Sequence, residues 1–245
     1  MASVDGLLDC LRALPSRDGL MNPYASARGS FAPDSRDEIG EQADALRCAN
    51  LAAYLHSLLE VKADVVLCGE APSYQGCRYT GIAFTSEIEI AARLPPLRGC
   101  QLLPAARNGV RPLMREPSAQ AVWHAIRMAP KPFVLWNAVQ LHPHPEGTAR
   151  QNRRPTGIEV QLGRESLSLL LELVQPRLVV AVGRTAERAL QSLGIEAPYV
   201  RHPAHGGRTE FFAGLEALGL VKRREQEVTL DLFEAECGDY CLSAP

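Results

Sequence analysis

The 245-residue sequence contains no apolar run that approaches the roughly 18 residues of a membrane span. Its N-terminus, Met-Ala-Ser-Val-Asp, lacks the basic and long apolar segments of a secretory signal. A disulfide framework is absent too, because the seven cysteines are odd in number and scattered along the chain. These absences predict a cytoplasmic protein with reduced thiols and no membrane partner.

Two further kinds of site find no support. The only close cysteine pair is Cys237 and Cys241, and no other ligands stand at a spacing that would complete a zinc or iron-sulfur site. We therefore predict no metal. The spacings G-x-G-x-x-G and G-x-x-x-x-G-K are missing as well, which argues against a nucleotide-binding α/β protein that cradles phosphates in a glycine loop.

What the chain does have is an ordinary globular composition, with 46% apolar and 22% charged residues. Its length predicts a single domain over residues 1–245. The formal net charge is −2, but residues 225–245 carry six acids and no Lys or Arg, so the rest of the chain is net positive. That balance is compatible with a nucleic-acid partner without requiring one.

The order of apolar patterns predicts the fold. Residues 1–33 hold a short amphipathic piece at 7–11 and are otherwise Pro, Gly and Ser-rich, so we expect an irregular segment. A long amphipathic helix is expected to begin at Asp34 or Ser35 and to reach residue 59. Beyond it, strands alternate with helices, which predicts an α/β fold: a three-layer αβα sandwich around a mostly parallel four-stranded sheet. The expected strands are 64–68, 132–136, 178–182 and 198–201, and the expected helices are 118–129, 156–174 and 184–193.

Polar side chains follow three of these strands where each one ends. They are Glu70, Asn137 and His202, and Phe84 closes the glycine-rich loop after the first strand. Because ligands bind at the carboxyl ends of parallel strands, these residues are expected to share one site. Each also has a purely structural interpretation, as a helix cap, a core ring, a turn amide or a loop histidine.

Three segments around these residues resemble the signature motifs of the uracil-DNA glycosylase superfamily, in the same order. They are GEAPSYQGCRYTGIAF from residue 69, VLWNAVQLHPHP from residue 134 and VRHPAHGGRTEFFAGL from residue 200, and the resemblance covers about residues 60–215. The resemblance implies a monofunctional DNA glycosylase that flips a pyrimidine out of DNA and hydrolyses its N-glycosidic bond. It implies uracil first, in base excision repair.

The resemblance also implies roles for individual residues. Glu70 matches the carboxylate that positions or activates the attacking water, and His202 matches the imidazole that stabilises the departing base. Phe84 matches the ring that stacks on the flipped base, and Asn137 matches the amide that reads its edge. These types suit the chemistry, since cleavage leaves positive charge on the sugar and negative charge on the base.

The resemblance implies roles for further residues from their positions in or near the motif segments. Ala71 is expected in the base pocket, and Ser73 stands where the best-studied branch has a tyrosine that blocks carbon 5 of the pyrimidine. An open wall there admits an alternative substrate, a carbon-5-modified pyrimidine such as hydroxymethylcytosine or its glucosylated form in phage DNA, which would make the enzyme an antiviral defence. DNA contacts are expected from the basic loop of 142–156 and from the loop that enters the duplex: Arg150, Arg153, Arg154, His205, Gly206, Gly207 and Arg208.

Departures from the superfamily matter as well. The cysteines of its iron-sulfur branches have no counterpart at Gln140 and Leu141, and no histidine lies between 71 and 83, as self-crosslinking to DNA would need. We therefore expect no cofactor, no permanent crosslink, DNA as the partner and a monomer. A catalytically silent DNA-binding module remains an alternative of another class, although such a module would need neither Glu70 nor His202.

Overall fold

The computed structural model describes residues 2–25 and 42–222. In chain order its strands are β1 (Leu20–Met21), β2 (Val65–Gly69), β3 (Val134–Asn137), β4 (His142–Pro143), β5 (Leu178–Val182) and β6 (Tyr199–Val200). Within the described ranges, four of them form a parallel central sheet in the order β3-β2-β5-β6. The strands are apolar because helices cover the sheet on both faces, and Val66, Leu67 and Val180 are fully buried.

The helices are numbered along the described chain. They are α1 (Val4–Ala13), α2 (Ala43–Glu60), α3 (Cys77–Thr80), α4 (Glu87–Ala91), α5 (Pro104–Arg107), α6 (Pro117–Met128), α7 (Gly157–Leu162), α8 (Arg164–Val174), α9 (Arg184–Ser192) and α10 (Arg208–Ala217), with a 3₁₀ turn at Leu97–Gly99. The architecture is the three-layer α/β/α sandwich that the sequence predicts.

Most element predictions are confirmed to within two residues at each end. The predicted helix 156–174 is instead two helices, α7 and α8, which meet at Gly163. A Cβ at Gly163 would lie 1.9 Å from the carbonyl oxygen of Ala138, so the helix junction packs directly against the backbone that follows β3. This contact supports the strand end that carries Asn137.

The prediction of an irregular segment over 1–33 needs correcting in its first part. Helix α1 occupies Val4–Ala13, and the Ser3 hydroxyl caps it by accepting from the backbone N–H of Gly6 at 3.0 Å. The helix buries Val4, Leu7, Leu8 and Leu11 against α8 and α2. The four apolar residues recur at helical spacing, so the periodicity extended further toward the N-terminus than the piece at 7–11.

A second, two-stranded sheet joins the N-terminal part of the chain to the loop after β3. Strand β1 pairs antiparallel with β4, with Leu20 opposite Pro143 and Met21 opposite His142. Asn22 then closes the C-terminal end of α1, because its amide donates to the carbonyl oxygens of Leu11 and Leu14, both at 2.9 Å. Strands of two residues are too short to show an apolar alternation, so these two were not predicted.

Several predictions lie outside the described residues. They are the acidic residues 225–245 and the Cys237–Cys241 pair. The predicted start of the long helix at Asp34 or Ser35 is wrong, because α2 begins at Ala43 after Gln42, whose left-handed backbone interrupts a helix. In the part of the chain that the structure covers, no helix is long and apolar enough to cross a membrane. The five cysteines described there are all free thiols.

Gly163 generates the first testable prediction. Gly163→Ala should lower the free energy of unfolding by about 1–3 kcal/mol, because the new methyl group overlaps the Ala138 carbonyl oxygen. Gly157→Ala is the matched control, since a Cβ there meets nothing within 4 Å. Chemical denaturation of both variants measures the difference, and equal stability of the two would contradict the packing described here.

Candidate active site

The parallel register brings the predicted site residues to one edge of the sheet. Gly69, the last residue of β2, stands opposite Asn137, the last residue of β3. Glu70 follows Gly69 directly, and its carbonyl oxygen accepts from the N–H of Val139 at 3.0 Å. His202 lies two residues beyond β6 on the same edge.

Gly69 is the point at which two of these residues meet. A Cβ at Gly69 would lie 2.3 Å from Cζ of Phe84 and 2.9 Å from Oδ1 of Asn137, so only glycine lets the ring and the amide approach the strand end. Phe84 adopts a left-handed backbone, with φ of 50°, which is strained for an aromatic residue. The ring belongs to the core cluster, and this packing holds it beside the strand end despite the strained backbone.

The Asn137 side chain is 3% exposed, and its Nδ2 has no hydrogen-bond partner in the described part of the chain. Its peptide oxygen accepts from Nε2 of Gln140 at 2.6 Å, which fixes the backbone and leaves the side-chain amide available. A buried donor without a partner costs about 1–3 kcal/mol, and a ligand that accepts from it would remove that cost.

Glu70 is half-buried, and the hydroxyl of Thr185 donates to its Oε2 at 2.8 Å. Thr185 lies in the first turn of α9, so the N-terminal end of that helix faces the carboxylate. One carboxylate oxygen is thereby positioned, and Oε1 can accept from another group. Thr185 was missed by the sequence analysis, since a helix threonine carries no motif of its own.

His202 stands beside Phe84, with ring centroids 5.8 Å apart and planes inclined by 34°. The backbone N–H of Ala204 donates to its Nδ1 at 3.2 Å, so the neutral ring carries its proton on Nε2. Burial is the main cause that lowers the pKa of His202 to about 4, and the charges of Arg201 and His205 add to it. Near neutral pH the side chain is therefore an uncharged donor.

The loop after Glu70 carries Ala71 and Ser73, the two further residues that the sequence predicts in the base pocket. Ser73 is half-buried with its Oγ shielded from solvent, and it lies next to Gly76. Ala71 packs instead against an apolar cluster of Leu20, Val139 and Leu141, so its expected place in the base pocket stays a prediction.

The basic loop of 142–156 packs against the loop after Glu70. Nδ1 of His142 lies 2.8 Å from the carbonyl oxygen of Pro72, and Nε2 lies 3.0 Å from that of Ala149. The guanidinium of Arg78 also donates to Ala149, at 2.7 Å, and Asn152 accepts from the N–H of Tyr74 at 2.8 Å. His142 and His144 are fully buried, so the exposed basic side chains of this loop are arginines.

Arg153 has a different environment from its neighbours. It makes a two-pronged ion pair with Glu159, at 2.8 and 2.7 Å, and donates to the carbonyl oxygen of Gly19 at 2.6 Å. These contacts tie the loop to α7 and to the N-terminal part of the chain. Arg150 and Arg154 are exposed and are better placed than Arg153 for phosphates.

The loop after His202 projects outward. His205 and Gly206 both have left-handed backbones, with φ of 52° and 77°, and both are exposed. Gly207 closes the loop, because a Cβ there would lie 2.2 Å from the carbonyl oxygen of His202. Arg208, exposed at the start of α10, stacks its guanidinium over Phe212 at 5.6 Å.

No cluster suited to a metal is found among the described side chains, meaning three or more His, Cys, Asp or Glu gathered together. What the arrangement offers is a stacking ring, an unpaired amide, a carboxylate and a neutral imidazole around one strand edge. Such a set can hold a flat heteroaromatic ring and stabilise opposite charges on its two sides.

Comparison with known proteins agrees with this class of site. The family profile of the uracil DNA glycosylase superfamily matches residues 56–230, and the chain belongs to that superfamily. The crystal structure of wild-type SMUG2 from Pedobacter heparinus is similar in fold, with a TM-score of 0.55 at 13% identity over 88% of this chain and 97% of that one.

A second solved structure, the wild-type UNG of Nitratifractor salsuginis, matches with a TM-score of 0.38 at 17% identity over 72% of this chain and 80% of that one. No curated protein matches the sequence. The family assignment therefore depends on the profile, and the roles of individual residues have to be argued from the site itself.

The lowered pKa of His202 generates a prediction for stability. An unfolded histidine takes up its proton near pH 6.5, whereas folded His202, with its pKa of about 4, stays neutral. The free energy of unfolding therefore keeps its full value above about pH 6.5. It decreases as pH falls toward 4, by up to about 3 kcal/mol for this one group. His142, with its pKa lowered to about 4 mainly by burial, acts in the same direction.

Denaturant unfolding at pH 7, 5.5 and 4.5 measures this loss, and His202→Gln should make the pH dependence shallower. Imidazole NMR signals assigned to His202 should show the neutral form at pH 6. A His202 signal that titrates near 6.5, as in an unfolded peptide, would contradict the burial described here.

Proposed function

We propose that the protein is a monofunctional DNA glycosylase, a cytoplasmic monomer that flips a pyrimidine out of DNA and hydrolyses its N-glycosidic bond to leave an abasic site. Uracil is the first substrate, which assigns the protein to base excision repair. The observation that carries the proposal is the meeting of Phe84, Asn137 and His202 around Gly69, with Glu70 directly after it.

Phe84 and Asn137 hold the base. The Phe84 ring offers an apolar face for stacking, and the unpaired Nδ2 of Asn137 offers a donor to O4 of uracil while Oδ1 accepts from N3–H. The same amide, rotated, offers the complementary pair to cytosine. A duplex base reaches this buried edge only after extrusion, which is why a flipped nucleotide is proposed.

His202 and Glu70 act on the bond. As the bond to the sugar breaks, negative charge gathers on the base, and the Nε2–H of neutral His202 donates to it. A neutral donor suits this task, because a protonated imidazole would be costly in its buried position. Glu70, held by Thr185, faces the positive charge on the sugar and accepts a proton from the attacking water.

DNA is held by the surface around the site. Exposed Arg150, Arg154 and Arg208 supply positive charge for phosphates, and the projecting turn at His205 and Gly206 enters the duplex to fill the gap left by the flipped base. Arg153, tied to Glu159, is proposed to support the loop rather than to contact DNA.

Ser73 favours a second substrate. Where a tyrosine would block carbon 5, Ser73 leaves a low wall, so pyrimidines with a carbon-5 group can enter. Glucosylated hydroxymethylcytosine of phage DNA belongs to this class, and its removal would be an antiviral activity.

Substitution of the two acting groups tests the chemistry. Glu70→Gln and His202→Ala should each lower the single-turnover rate on uracil-containing DNA by about 10²–10³ while DNA affinity stays near the wild-type value. Glu187→Gln, on the same helix as Thr185, is the control for a lost carboxylate outside the site. Near-normal rates in both variants would exclude Glu70 and His202 from the chemistry, whereas a wild type that binds DNA without cleaving it would be a binding module.

The wall at Ser73 has a test of its own. Ser73→Tyr should abolish removal of a pyrimidine with a bulky carbon-5 group and spare removal of uracil, because the ring fills the space beside carbon 5. Uracil-containing DNA and glucosylated phage DNA are offered side by side, and abasic sites are counted on each. Wild-type cutting of uracil alone excludes the antiviral activity.

A further inference from the structure

The turn between β5 and α9, residues 183–185, lies between the two groups that act in the proposed reaction. The sheet order is β3-β2-β5-β6, so β5 separates the strand that Glu70 follows from the strand that precedes His202. Because these three strands are parallel, the turn after β5 lies at the same edge of the sheet as both groups. Two contacts connect the turn to them, one on each side.

Gly183 makes the contact with His202. It joins β5 to α9 with a positive φ of 92°, a backbone conformation that glycine adopts readily and other residues rarely do. A Cβ there would lie 3.4 Å from Cβ of His202 and 3.8 Å from its Cδ2, so the bare backbone packs against that side chain. The N–H of Gly183 also donates to the carbonyl oxygen of Val200 at 3.0 Å, which fixes the turn to β6 two residues before His202.

Thr185 makes the contact with Glu70. Its hydroxyl donates to Oε2 at 2.8 Å, and among the described residues no other group forms a hydrogen bond or an ion pair with that carboxylate. Threonine is branched at Cβ, so its χ1 angle is restricted and its hydroxyl has few positions available. The residue also lies in the first turn of the nine-residue helix α9. The position of Oε2 is therefore set by a helical side chain of limited rotation.

A neutral donor suits this place for an electrostatic reason. A lysine or arginine at position 185 would also hold the carboxylate, but its positive charge would offset the negative charge that the proposed reaction needs opposite the sugar. A hydroxyl group fixes one carboxylate oxygen and adds no opposing charge. The other oxygen of Glu70, Oε1, is then the one available to the attacking water.

We propose that Thr185 is a positioning residue for the hydrolysis: its hydroxyl holds Oε2 of Glu70 so that Oε1 receives the proton of the attacking water. The water oxygen bonds to C1′ of the sugar, and the electron pair of the cleaved bond leaves with the base, which accepts from Nε2–H of His202. Packing of Gly183 against His202 ties the position of the carboxylate to that of the imidazole. The inference rests on the proposed function, because Thr185 acts only through Glu70.

Thr185→Val tests the hydroxyl, because it removes the donor and keeps the shape of the side chain. It should lower the single-turnover rate by about 10- to 100-fold, as expected when a hydrogen bond to a charged group is lost, while DNA affinity stays near the wild-type value. The rate is measured as abasic sites formed on uracil-containing DNA and on glucosylated phage DNA. Affinity is measured by fluorescence anisotropy with the same DNA.

Further variants separate positioning from a structural link between the loop after β2 and α9. Thr185→Ser keeps the hydroxyl and should restore the rate to within a few-fold of the wild type. In a Glu70→Ala background no carboxylate remains to be positioned, so adding Thr185→Val should change the residual rate by less than about twofold.

Ser192→Ala is the matched control. It removes a hydroxyl at the other end of α9, where the group donates to the carbonyl oxygen of Ala189 within the helix, and it should leave the rate unchanged. Thermal unfolding of every variant verifies that it is folded.

The outcomes separate this inference from the proposed function. A wild type that releases no base from either DNA overturns the proposed glycosylase and with it this inference. If the wild type releases a base, a normal rate in Thr185→Val overturns the inference alone. So does a loss of equal size in the Glu70→Ala background, which would assign the hydroxyl to the stability of the fold.

Discussion

The site depends on the close approach of two side chains, the ring of Phe84 and the amide of Asn137, to the backbone of Gly69. Phe84 comes from the loop after β2 and Asn137 from the end of β3, and both lie where the Cβ of any other residue would stand. Glycine at the end of a buried strand is therefore the condition for the pocket, and the parallel pairing of Gly69 with Asn137 sets its geometry. The left-handed backbone of Phe84 is the cost of holding the ring there.

The charges around that contact are set by burial and by hydrogen bonding. His202 is neutral because burial and neighbouring positive groups lower its pKa, and it lies beside the ring of Phe84. Glu70 has one carboxylate oxygen held by the hydroxyl of Thr185. A neutral donor and a carboxylate suit a reaction in which base and sugar acquire opposite charges.

The loops around the site are stabilised by basic residues that, from the sequence alone, could be taken for DNA-binding residues. His142 and Arg78 are basic residues of the motif segments, but their hydrogen bonds join the loop after Glu70 to Ala149. Arg153 likewise joins Glu159 to Gly19. These contacts join the loop after Glu70, the basic loop of 142–156 and α7 to one another. Basic character alone does not distinguish a phosphate contact from an internal clamp.

The sequence by itself determined which segments are buried strands and where these strands end. It also determined that Glu70, Asn137 and His202 stand at or just after those ends. That was possible because a buried parallel strand needs a continuous apolar run and because strand ends gather at one edge. The sequence also predicted helices from periodicity, though it overlooked the first turn of α1 and the break at Gly163.

Only the tertiary structure decided which polar groups form hydrogen bonds within the fold and which remain unpaired. Thr185 reaches Glu70 across 115 residues of sequence, and Glu116 reaches Gly76 from the start of another helix. Neither position has a local signal, because a hydrogen bond or a steric fit between distant segments depends on packing and leaves no periodicity behind. Burial, hydrogen-bond satisfaction and pKa belong to the folded surroundings of a side chain, so they are properties that residue type and spacing do not contain.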